Sequence, residues 1–447
     1  MIKNQTTKKV LNILIEKGYK AYVVGGAVRD AYLNLPVSDA DITTSAKPEE
    51  VTAVFKNGGY KVIPTGIKHG TVTVIVDGES FEITTFRSES GYADNRHPEI
   101  VEFVADLQGD LLRRDFTVNA MAYNEIEGLI DLYGGKNDCD SKILRAVGNA
   151  DERFKEDALR ILRALRFASK LGFTIEKETS KAIFKNAERL SAISKERVYQ
   201  ELIKIITGNH AEETLIKFKK IIFEIIPELK NCDGFDQKSK YHAYDVYTHI
   251  VKSVGYSKNE KTVRLTCLLH DIAKPSCFTL DEFGRGHFYG HPEKSAETAV
   301  KILKRLKVDN KTINTVETVI RLHDTPISSE RSKVKKFLSK YGYEILSVLT
   351  EVRIGDALAH ANSYVKQRAD DATAVLKVAN DIISSGECYT LKQLAVNGND
   401  LEKLGIKGEE IKKTLLKLLN GVMEGKLIND KNYLIKVVNE RRTFSKN

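Results

Sequence analysis

The stretch that decides the fold lies near the N-terminus and reads Tyr22-Val23-Val24-Gly25-Gly26-Ala27-Val28-Arg29-Asp30. The run from Ala21 to Val24 is apolar and largely β-branched, which predicts a buried strand, and the two glycines predict a tight turn after it. A short helix is expected to begin at Ala27, where backbone N–H groups can face a phosphate. The order of strand, turn and helix therefore predicts an anion-binding loop.

A pair of carboxylates follows in Ser38-Asp39-Ala40-Asp41-Ile42. We expect Asp39 and Asp41 to lie on the next strand, where side chains two residues apart point to the same face. Two carboxylates on one face form an oxygen site suited to Mg²⁺, which combines few protein carboxylates with substrate phosphates. A glycine turn alone is usually only a turn, and a lone Asp-x-Asp pair is usually a solvated loop. Together with Arg29, they indicate that a nucleoside triphosphate is held for phosphoryl-type chemistry.

Length and composition indicate a multidomain protein with an anionic partner. The chain has 447 residues, too many for one ordinary core, and a formal net charge of +9, which favours nucleic acid as a partner. Five scattered cysteines show neither zinc nor disulfide spacing, so a reducing, cytoplasmic setting is expected. The N-terminus does not resemble a signal peptide, and no apolar run approaches the roughly 18–20 residues that cross a bilayer, so no membrane partner is expected.

Alternating residues further along the chain predict a hairpin in the same α/β part. The runs Thr71–Val76 and Ser80–Arg87 flank Asp77-Gly78, which is a turn signal. Glu82 falls on the second run and is a candidate third carboxylate, and the alternative is an ordinary exposed strand position. Residues 88–105 are polar and predict a long mobile loop.

The pattern becomes helical from about residue 141 onward. One helix is expected over Glu156–Phe167, with a polar stripe that recurs every third residue. Asp157 and Arg160, at positions i and i+3, would then face one pocket. The alternative is an ordinary solvated face over a core face. The stripe consists of Asp157, Arg160, Arg163 and Arg166.

A concentration of histidines predicts a metal site in the second half of the chain. Residues 240–360 hold seven of the ten histidines, and the centre of the pattern is Leu268-Leu269-His270-Asp271-Ile272-Ala273-Lys274-Pro275. Adjacent His and Asp after an apolar helix, with further histidines on helices before and after, can enclose a divalent metal. The candidate ligands are His242, His249, His270, Asp271, His287, His291, His323 and Asp356.

These stretches, in this order, resemble the motifs of the bacterial CCA-adding tRNA nucleotidyltransferases. That family is the class II branch of the DNA polymerase β-like nucleotidyltransferases, which also contains bacterial poly(A) polymerases. Residues 240–360 resemble the HD phosphohydrolase domain that is fused to some members. The matching stretches of the first 200 residues are Gly25–Asp30, Asp39–Asp41, Arg113–Ala120 and Glu156–Phe167, and Ser194–Val198 resembles a further neck motif.

The resemblance implies an α+β protein. An N-terminal nucleotidyltransferase head of the polymerase β-like α/β type would carry catalysis, and the all-α domains after it would grip tRNA. The implied boundaries are 1–140 for the head, 141–235 for the helical neck, 236–362 for the HD metal-binding domain and 363–447 for a tRNA-binding tail.

The resemblance also implies roles for residues of the head and neck. Asp39 and Asp41 would be catalytic and would hold Mg²⁺, and Glu82 matches a nearby catalytic acid. The residues that match nucleotide-binding positions are Gly26, Arg29, Arg114, Asp157, Arg160, Arg163 and Arg166.

A second divalent metal in the HD domain is implied by the same resemblance. Its family pattern selects four of the eight candidate ligands and leaves three histidines to contact a substrate. The four are His249, His270, Asp271 and Asp356, and the three are His287, His291 and His323.

The implied activity is addition of C, C and A to the 3′ end of tRNA from CTP and ATP. The 3′-hydroxyl would attack the α-phosphate with release of pyrophosphate. Asp157 would accept from the exocyclic amine that cytosine and adenine share, and Arg160 would donate to the neighbouring ring nitrogen.

Two alternatives remain open at the level of sequence. The first alternative, from the same enzyme class, is an A-adding enzyme or a poly(A) polymerase of the same family. Asp94-Asn95-Arg96-His97-Pro98 matches a flexible loop that CC-adding enzymes lack, and this favours full CCA addition. The alternative from another class is an HD-type metal-dependent phosphohydrolase with a nucleotide-sensing head.

Overall fold

The computed structural model describes residues 1–37, 39–67, 70–90, 100–103, 106–239, 243–360 and 364–444. These residues divide into two compact units, Met1–Pro227 and Glu228–Asn447. In the described ranges, the first unit combines a β-sheet with helices, and the second is helical apart from one short ribbon. The predicted α+β class, with a mixed head followed by helical domains, is confirmed.

A mixed sheet forms the base of the first unit. Its strands, together with those of a small separate ribbon, are β1 (Ala21–Val24), β2 (Asp41–Thr44), β3 (Lys61–Gly66), β4 (Thr71–Val76), β5 (Glu79–Thr85), β6 (Arg87–Ser90), β7 (Ile100–Phe103), β8 (Met121–Asn124) and β9 (Gly128–Asp131). β6 and β7 form the antiparallel ribbon, and the other strands form one sheet in the order β3-β4-β5-β2-β1-β8-β9. Neighbouring strands of the sheet are antiparallel except β2 and β5, which run parallel.

The turn after β1 fixes the functional end of the sheet. β1 is buried along its whole length, as predicted, and pairs with β2 so that Val24 lies opposite Asp41. Gly25 follows with φ +75°, and a Cβ at this position would lie 3.0 Å from Nη1 of Arg114. A side chain at Gly25 would therefore strain the backbone and push Arg114 aside. The glycine allows Asp41 and Arg114 to lie at the same edge.

Helices pack against the sheet and make up most of the first unit after it. In chain order they are α1 (Gln5–Glu16), α2 (Gly26–Tyr32), α3 (Pro48–Asn57), α4 (Leu107–Leu112), α5 (Gly135–Asp140), α6 (Ala150–Glu156), α7 (Leu159–Leu171), α8 (Lys177–Lys185), α9 (Lys195–Ile206), α10 (Ala211–Lys217) and α11 (Lys219–Ile225). The strands β10 (Ile143–Leu144) and β11 (Thr174–Ile175) form a short parallel ribbon. α7 packs against α9, and Leu162, Leu165 and Leu202 on these two helices are fully buried.

The predicted hairpin is confirmed. β4 and β5 are antiparallel, and Asp77 and Gly78 join them with φ of +49° and +84°, as a two-residue turn with positive φ at both positions requires. Glu82 lies on β5 with an exposed side chain. β5 runs beside β2 with Ile83 paired to Ile42, so Glu82 lies next to Asp41 on the same face of the sheet.

The prediction that Asp39 lies on the second strand is wrong. β2 begins only at Asp41, and Asp39 precedes it without regular structure. The reason is that Asp41 pairs with Val24, the last residue of β1, and the chain of β1 turns away at Gly25. β1 therefore does not extend far enough to pair with Asp39, and the pairing of β2 with β5 begins only at Ile42.

The prediction of a loop over residues 88–105 is wrong at both ends. Arg87–Ser90 pairs with Ile100–Phe103 as the ribbon of β6 and β7. The β-branched pair Ile100-Val101 favours this strand despite the polar residues before it. The stretch Asp94–Pro98, on which the choice of CCA addition partly rested, lies outside the described residues.

The prediction of one helix over Glu156–Phe167 is also wrong. The chain breaks between α6 and α7 at Asp157, which has φ −138° and ψ 102°. Its side chain accepts a hydrogen bond from the backbone N–H of Leu159 at 2.9 Å, so it caps the following helix instead of lying on it. The argument that Asp157 and Arg160 face one pocket because they are three residues apart on a helix therefore fails.

The second unit is a helical bundle followed by a smaller helical part. Its elements are α12 (Val246–Tyr256), α13 (Lys261–Leu269), α14 (His291–Arg305), α15 (Asn310–Leu322), α16 (Arg331–Leu358), α17 (Tyr364–Ser384), α18 (Gly398–Lys403), α19 (Glu409–Met423) and α20 (Lys431–Phe444), with a ribbon of β12 (Thr279–Leu280) and β13 (Gly286–His287). α12, α13, α15 and α16 pack on one another. The final helices share a core around Leu401, Leu418 and Leu434, which confirms a helical tail.

All five cysteines are buried and free. Burial raises the pKa of the Cys267 thiol to about 12, so this thiol stays protonated at neutral pH. Within the described ranges, no helix combines the length and the apolar character that spanning a membrane requires.

Candidate active site

An open cleft of about 850 Å³ lies in the first unit at the end of β1. Every residue predicted to bind the nucleotide lines it, and so do both predicted metal-binding acids. Glu82 is not among the lining residues, although it neighbours Asp41 in the sheet. The predicted residues that line the cleft are Gly26, Arg29, Asp39, Asp41, Arg114, Asp157, Arg160, Arg163 and Arg166.

Charge distinguishes this cleft. Nine Lys or Arg side chains line it against five Asp side chains, so its walls attract anions and suit a triphosphate. The cations are Arg29, Arg113, Arg114, Arg160, Arg163, Arg166, Lys170, Arg197 and Lys204.

Asp39 and Asp41 form the acidic end of the cleft. Asp41 is exposed to the cleft, yet the surrounding protein atoms displace enough water to raise the pKa of its carboxyl. The charge of Arg114 opposes this rise, and the charge of Asp39 adds to it. Two carboxylates that repel each other at the edge of a cationic cleft are a donor set that fits a divalent cation.

Arg29 is fixed from several sides although it lies on the short helix α2. Its Nε donates to Asp30 Oδ1 at 2.8 Å, and its Nη1 donates to Asn119 Oδ1. Its guanidinium carbon also lies 5.0 Å from the centre of the Phe167 ring, which the guanidinium carbon of Arg166 approaches to 4.3 Å. The ring therefore supports two cations through cation–π contacts. The sequence did not single out Phe167 or Asn119 for these roles.

Asp115 is buried within the wall of the cleft and holds Arg163 in place. Nε of Arg163 donates to Asp115 Oδ2 at 2.7 Å, and Nδ2 of Asn119 donates to Asp115 Oδ1 at 3.0 Å. Burial alone would raise the pKa of Asp115, but the charge of Arg163 and these hydrogen bonds lower it to about 2. The carboxylate thus stays ionised and orients Arg163. Asp115 stood within a motif stretch, but its role as the holder of Arg163 needs the fold.

Asp110 orients Arg113 and Arg114 in the same way, by forming ion pairs with both. Its carboxylate is buried, and it lies 2.7 Å from Nη2 of Arg113 and 3.3 Å from Nη2 of Arg114. Nε of Arg114 is buried and has no hydrogen-bond partner among the described residues, so it remains available as a donor. Sequence reasoning missed Asp110.

Asp157 and Arg160 both line the cleft, and each side chain is held by different neighbouring residues. Asp157 Oδ2 lies 3.2 Å from Nη2 of Arg197, which belongs to the neck motif on α9. Arg160 donates to Glu156 Oε2 at 2.7 Å and to the carbonyl oxygen of Arg113 at 2.8 Å. Their side chains are therefore oriented before any ligand arrives. Nothing in the residue spacing predicted the contact with Arg197.

A second cluster lies in the second unit and contains the four predicted metal ligands. His249 Nε2 is 2.9 Å from Asp356 Oδ1 and 3.4 Å from Asp271 Oδ2, and His270 Nε2 is 3.2 Å from Asp271 Oδ2. Burial opposes a charged His270, but the carboxylates of Asp271 and Asp356 outweigh it and raise the pKa of this imidazole to about 10. Nε2 of His270 is buried without a hydrogen bond of acceptable geometry in the described part of the chain.

The structure places the other candidate ligands differently from one another. His291 and His323 lie beside Asp271, with one ligand atom of each residue within 4.8 Å of the others. His287 lies on β13, where Nε2 is 3.0 Å from Asp281 Oδ2, and His242 lies outside the described residues. Lys274, whose Nζ is 2.6 Å from Asp271 Oδ2, was missed.

Family models match three parts of the chain. The model described as "Poly A polymerase head domain" matches residues 21–145. The model described as "Probable RNA and SrmB- binding site of polymerase A" matches residues 172–232. The model for "tRNA nucleotidyltransferase domain 2" matches residues 290–438.

Two curated relatives align with nearly the whole chain. The CCA-adding enzyme of Bacillus velezensis is 33% identical over 427 residues, which are 94% of this chain and 94% of the relative. The CCA-adding enzyme of Limosilactobacillus fermentum is 35% identical over 438 residues, 98% of this chain and 96% of the relative. The chain belongs to the CCA-adding enzyme family. It is therefore a nucleotidyltransferase.

A solved structure agrees with this membership. The crystal structure of the Bacillus stearothermophilus CCA-adding enzyme in complex with CTP has 28% sequence identity to this chain and a TM-score of 0.71. The match covers 100% of this chain and 99% of the other. The resemblance seen in the motifs therefore extends beyond the first 200 residues of the sequence.

The pairing of Asp115 with Arg163 gives a prediction about stability. At pH 7, Asp115→Asn should lower the free energy of unfolding by about 2–3 kcal/mol, since the native carboxyl has a pKa of about 2 against ~3.9 in an unfolded chain. The contribution is present above the unfolded pKa and is lost as the pH falls through the native one. Urea unfolding of both proteins between pH 7 and pH 3 measures this. Asp77→Asn, at an exposed hairpin position, is the control. If the difference in free energy of unfolding between the wild type and Asp115→Asn does not change with pH, the pairing of Asp115 with Arg163 is contradicted.

Proposed function

We propose that this chain adds C, C and A to the 3′ end of tRNA from CTP and ATP. The observation that carries the proposal is one cleft that brings together a glycine turn, the two predicted metal-binding acids and nine cationic side chains. Membership of the CCA-adding enzyme family supports it, as does the related structure that holds CTP. The free, buried cysteines fit the cytoplasm, where tRNA is processed.

Arg29 and Arg114 are the proposed holders of the triphosphate beside Gly26. Arg29 is fixed by Asp30 and Asn119, so its remaining N–H groups are aimed before the ligand binds. Guanidinium groups pair with phosphate oxygens in forked geometry and neutralise the charge that develops on the leaving pyrophosphate. The buried, unpartnered Nε of Arg114 supports the same role.

Asp39 and Asp41 are the proposed Mg²⁺ ligands. When bound there, Mg²⁺ would make the 3′-hydroxyl more acidic and stabilise the charge at the α-phosphate. The chain's own contribution is to hold the two acids at the edge of the cleft, through the pairing of Asp41 with Val24. Glu82 neighbours Asp41 in the sheet and is kept as a proposed supporting acid.

Asp157 and Arg160 are proposed to read the base. The carboxylate of Asp157 would accept the exocyclic amine of cytosine or adenine, and Arg160 would donate to the adjacent ring nitrogen. Uracil and guanine present the reverse pattern and would leave desolvated groups unpaired. Arg163 and Arg166, which lie further along α7, are proposed to contact phosphate.

We also propose the domain limits 1–140, 141–235, 236–362 and 363–447 for head, neck, HD domain and tail. The Lys-rich helices of the tail, such as α19, are proposed to contact tRNA phosphates.

The HD domain supports a second candidate activity, hydrolysis of a phosphate ester with a divalent metal held by four residues. The buried, unsatisfied Nε2 of His270 favours this candidate. The four residues are His249, His270, Asp271 and Asp356.

Asp41→Asn should slow nucleotide addition by roughly a thousandfold, since the loss of one metal-binding carboxylate removes several kcal/mol of transition-state stabilisation. The assay uses labelled CTP and ATP with tRNAs that lack three, two or one of the final nucleotides. Product lengths on the wild-type protein separate CCA addition from single A addition and from a long A tail. Asp77→Asn is the control. Addition by the Asp41 variant at a rate near that of the wild type would refute the metal assignment.

Asp157→Ala should reduce addition from CTP and ATP and shift relative use toward UTP by roughly tenfold, because one unpaired buried group costs ~1–3 kcal/mol. Incorporation of each of the four nucleotides under the same conditions measures the shift. Lys170→Ala removes an exposed cation from the same cleft and should leave the ratio between nucleotides unchanged. If the Asp157 variant keeps the selectivity of the wild type, the base is read elsewhere.

His270→Ala should abolish any hydrolysis of p-nitrophenyl phosphate or bis(p-nitrophenyl) phosphate with Mn²⁺ or Ni²⁺, and it should spare nucleotide addition. The reason is that the two sets of residues lie in different units. His210→Ala, at an exposed histidine of the first unit, is the control. Loss of nucleotide addition in a folded His270 variant would contradict two separate sites.

A further inference from the structure

The ring of Phe167 is contacted by cationic side chains from two helices of the cleft. The guanidinium carbon of Arg166 lies 4.3 Å from the centre of this ring, that of Arg29 lies 5.0 Å away and that of Arg163 lies 5.6 Å away. All three distances are within the roughly 6 Å over which a cation is attracted to the face of an aromatic ring. Arg29 lies on α2, whereas the other two arginines and the ring belong to α7. One ring therefore links the cations of both helices.

Helix spacing alone does not produce this arrangement. Arg163 and Phe167 are four positions apart on α7 and share a face, but adjacent residues such as Arg166 and Phe167 point in different directions. The side chain of Arg166 nevertheless makes the shortest of the three contacts with the ring. It is also held by Glu201, whose Oε1 accepts from Nη1 of Arg166 at 3.0 Å. The contact therefore depends on the folded cleft and not on the helix alone.

The ring itself is held in a fixed orientation. Phe167 is buried, and its ring meets that of Phe116 edge to face, with 5.8 Å between the two centres and an angle of 81° between the two planes. Such edge-to-face pairs are a preferred packing geometry of aromatic side chains. Phe116 is fully buried and directly follows Asp115, which orients Arg163. The ring is therefore in place before a nucleotide binds.

A carboxylate and an aromatic ring support a guanidinium group in different ways. A carboxylate accepts from one or two of the N–H groups and compensates the positive charge. The face of a ring attracts the cation, but it carries no net charge and takes up no strong donor. Each of the three guanidinium groups has one carboxylate partner, so the shared ring is the support that leaves charge and donors for a ligand. The pairs are Asp30 with Arg29, Asp115 with Arg163 and Glu201 with Arg166.

The pKa of Arg166 shows that these cations are crowded. Burial, together with the positive charge of Arg163, lowers the pKa of this guanidinium from its ordinary value, although Glu201 opposes the change. The charged form of Arg166 is therefore destabilised by its surroundings. The negative face of the Phe167 ring offsets part of the repulsion where the three groups meet. A bound polyphosphate would offset the rest.

We propose that Phe167 is a positioning residue for the triphosphate of the incoming nucleotide. Its ring holds the guanidinium groups of Arg29, Arg163 and Arg166 together in the cleft without neutralising them, and these groups bind the phosphates. This role rests on the nucleotide addition proposed above. Because the ring acts on the phosphate part of the ligand, its effect should be equal for CTP and ATP, and the choice of the base should not depend on it.

Graded fluorination of the ring in the full-length protein tests this role. Fluorine atoms draw electron density from the face of the ring and change its shape little, so phenylalanine with one, two or three fluorine atoms at position 167 weakens the cation contacts in steps. The dissociation constants of CTP and ATP, measured by titration calorimetry, and their KM for addition to tRNA should rise together, by roughly threefold to tenfold with three fluorine atoms. The kcat should stay within about twofold of the wild type. The dissociation constant of CMP, which lacks the β- and γ-phosphates, should change less.

Two ordinary variants and a matched control accompany the fluorinated series. Phe167→Leu keeps an apolar side chain but removes the ring, and it should raise both KM values at least as much as three fluorine atoms do. Phe167→Tyr keeps the ring and should stay near the wild type. Phe55 is the control, because it is also fully buried and packs edge-on against a second ring, that of Tyr60, but is not among the described residues that line the cleft. Fluorination of Phe55 should leave both KM values unchanged, and circular dichroism checks that each variant is folded.

Two results would overturn the proposed role of Phe167. The first is a set of unchanged dissociation constants throughout the fluorinated series, even if Phe167→Leu loses affinity, because the ring would then act through its volume alone. The second is a fall in kcat at unchanged KM, which would mean that the ring does not act on binding of the triphosphate. Failure of the wild type to extend any tRNA would instead refute the proposed addition of C, C and A, and the titrations with CTP and ATP would still decide the role of the ring.

Discussion

Buried carboxylates in and behind the wall are the constraint on which the cleft of the first unit depends. Cationic side chains that crowd around one cleft repel one another, and flexible ones would turn toward solvent. Asp110, Asp115 and Glu201 prevent this, because each is buried and pairs with an arginine of the cleft. Each ion pair fixes the planar guanidinium at one end and leaves its other donors aimed at the cavity. The arginines thus direct N–H donors at a ligand, while the buried carboxylates compensate part of their positive charge.

This arrangement explains which parts of the site the sequence could predict. The strand Ala21–Val24, the glycine turn and the hairpin at Asp77-Gly78 are local features, and the residues that form them are adjacent in the chain. The residues that hold the cations come from distant segments, such as Glu201 for Arg166 and Asp115 for Arg163. Without the fold, an acid at these positions is indistinguishable from an acid on the surface.

The errors in the prediction have local physical causes. Asp157 interrupts the helical pattern because its side chain satisfies the N–H of Leu159, and periodicity of apolar residues does not reveal such competition. Asp39 lies outside the strand: β1 ends at Val24, opposite Asp41, and the pairing of β2 with β5 begins only at Ile42. In the second unit the sequence indicated a histidine-rich metal site, but it could not show that Asp271 has histidines on both sides.

The contact between Asp157 and Arg197 has a consequence for how the proposed reading of the base would be tuned. In this structure the carboxylate already accepts from Arg197, so a nucleotide amine that binds Asp157 would either share the carboxylate with that guanidinium or displace it. The selectivity for the base would then depend on how strongly each base binds the Asp157 carboxylate relative to Arg197. If Asp157 reads the base as proposed, Arg197 would compete with the base for this carboxylate, and a poorly matched base would not displace it. Arg197 also lines the cleft, and a substitution of this residue on α9 would change base selectivity through its contact with Asp157.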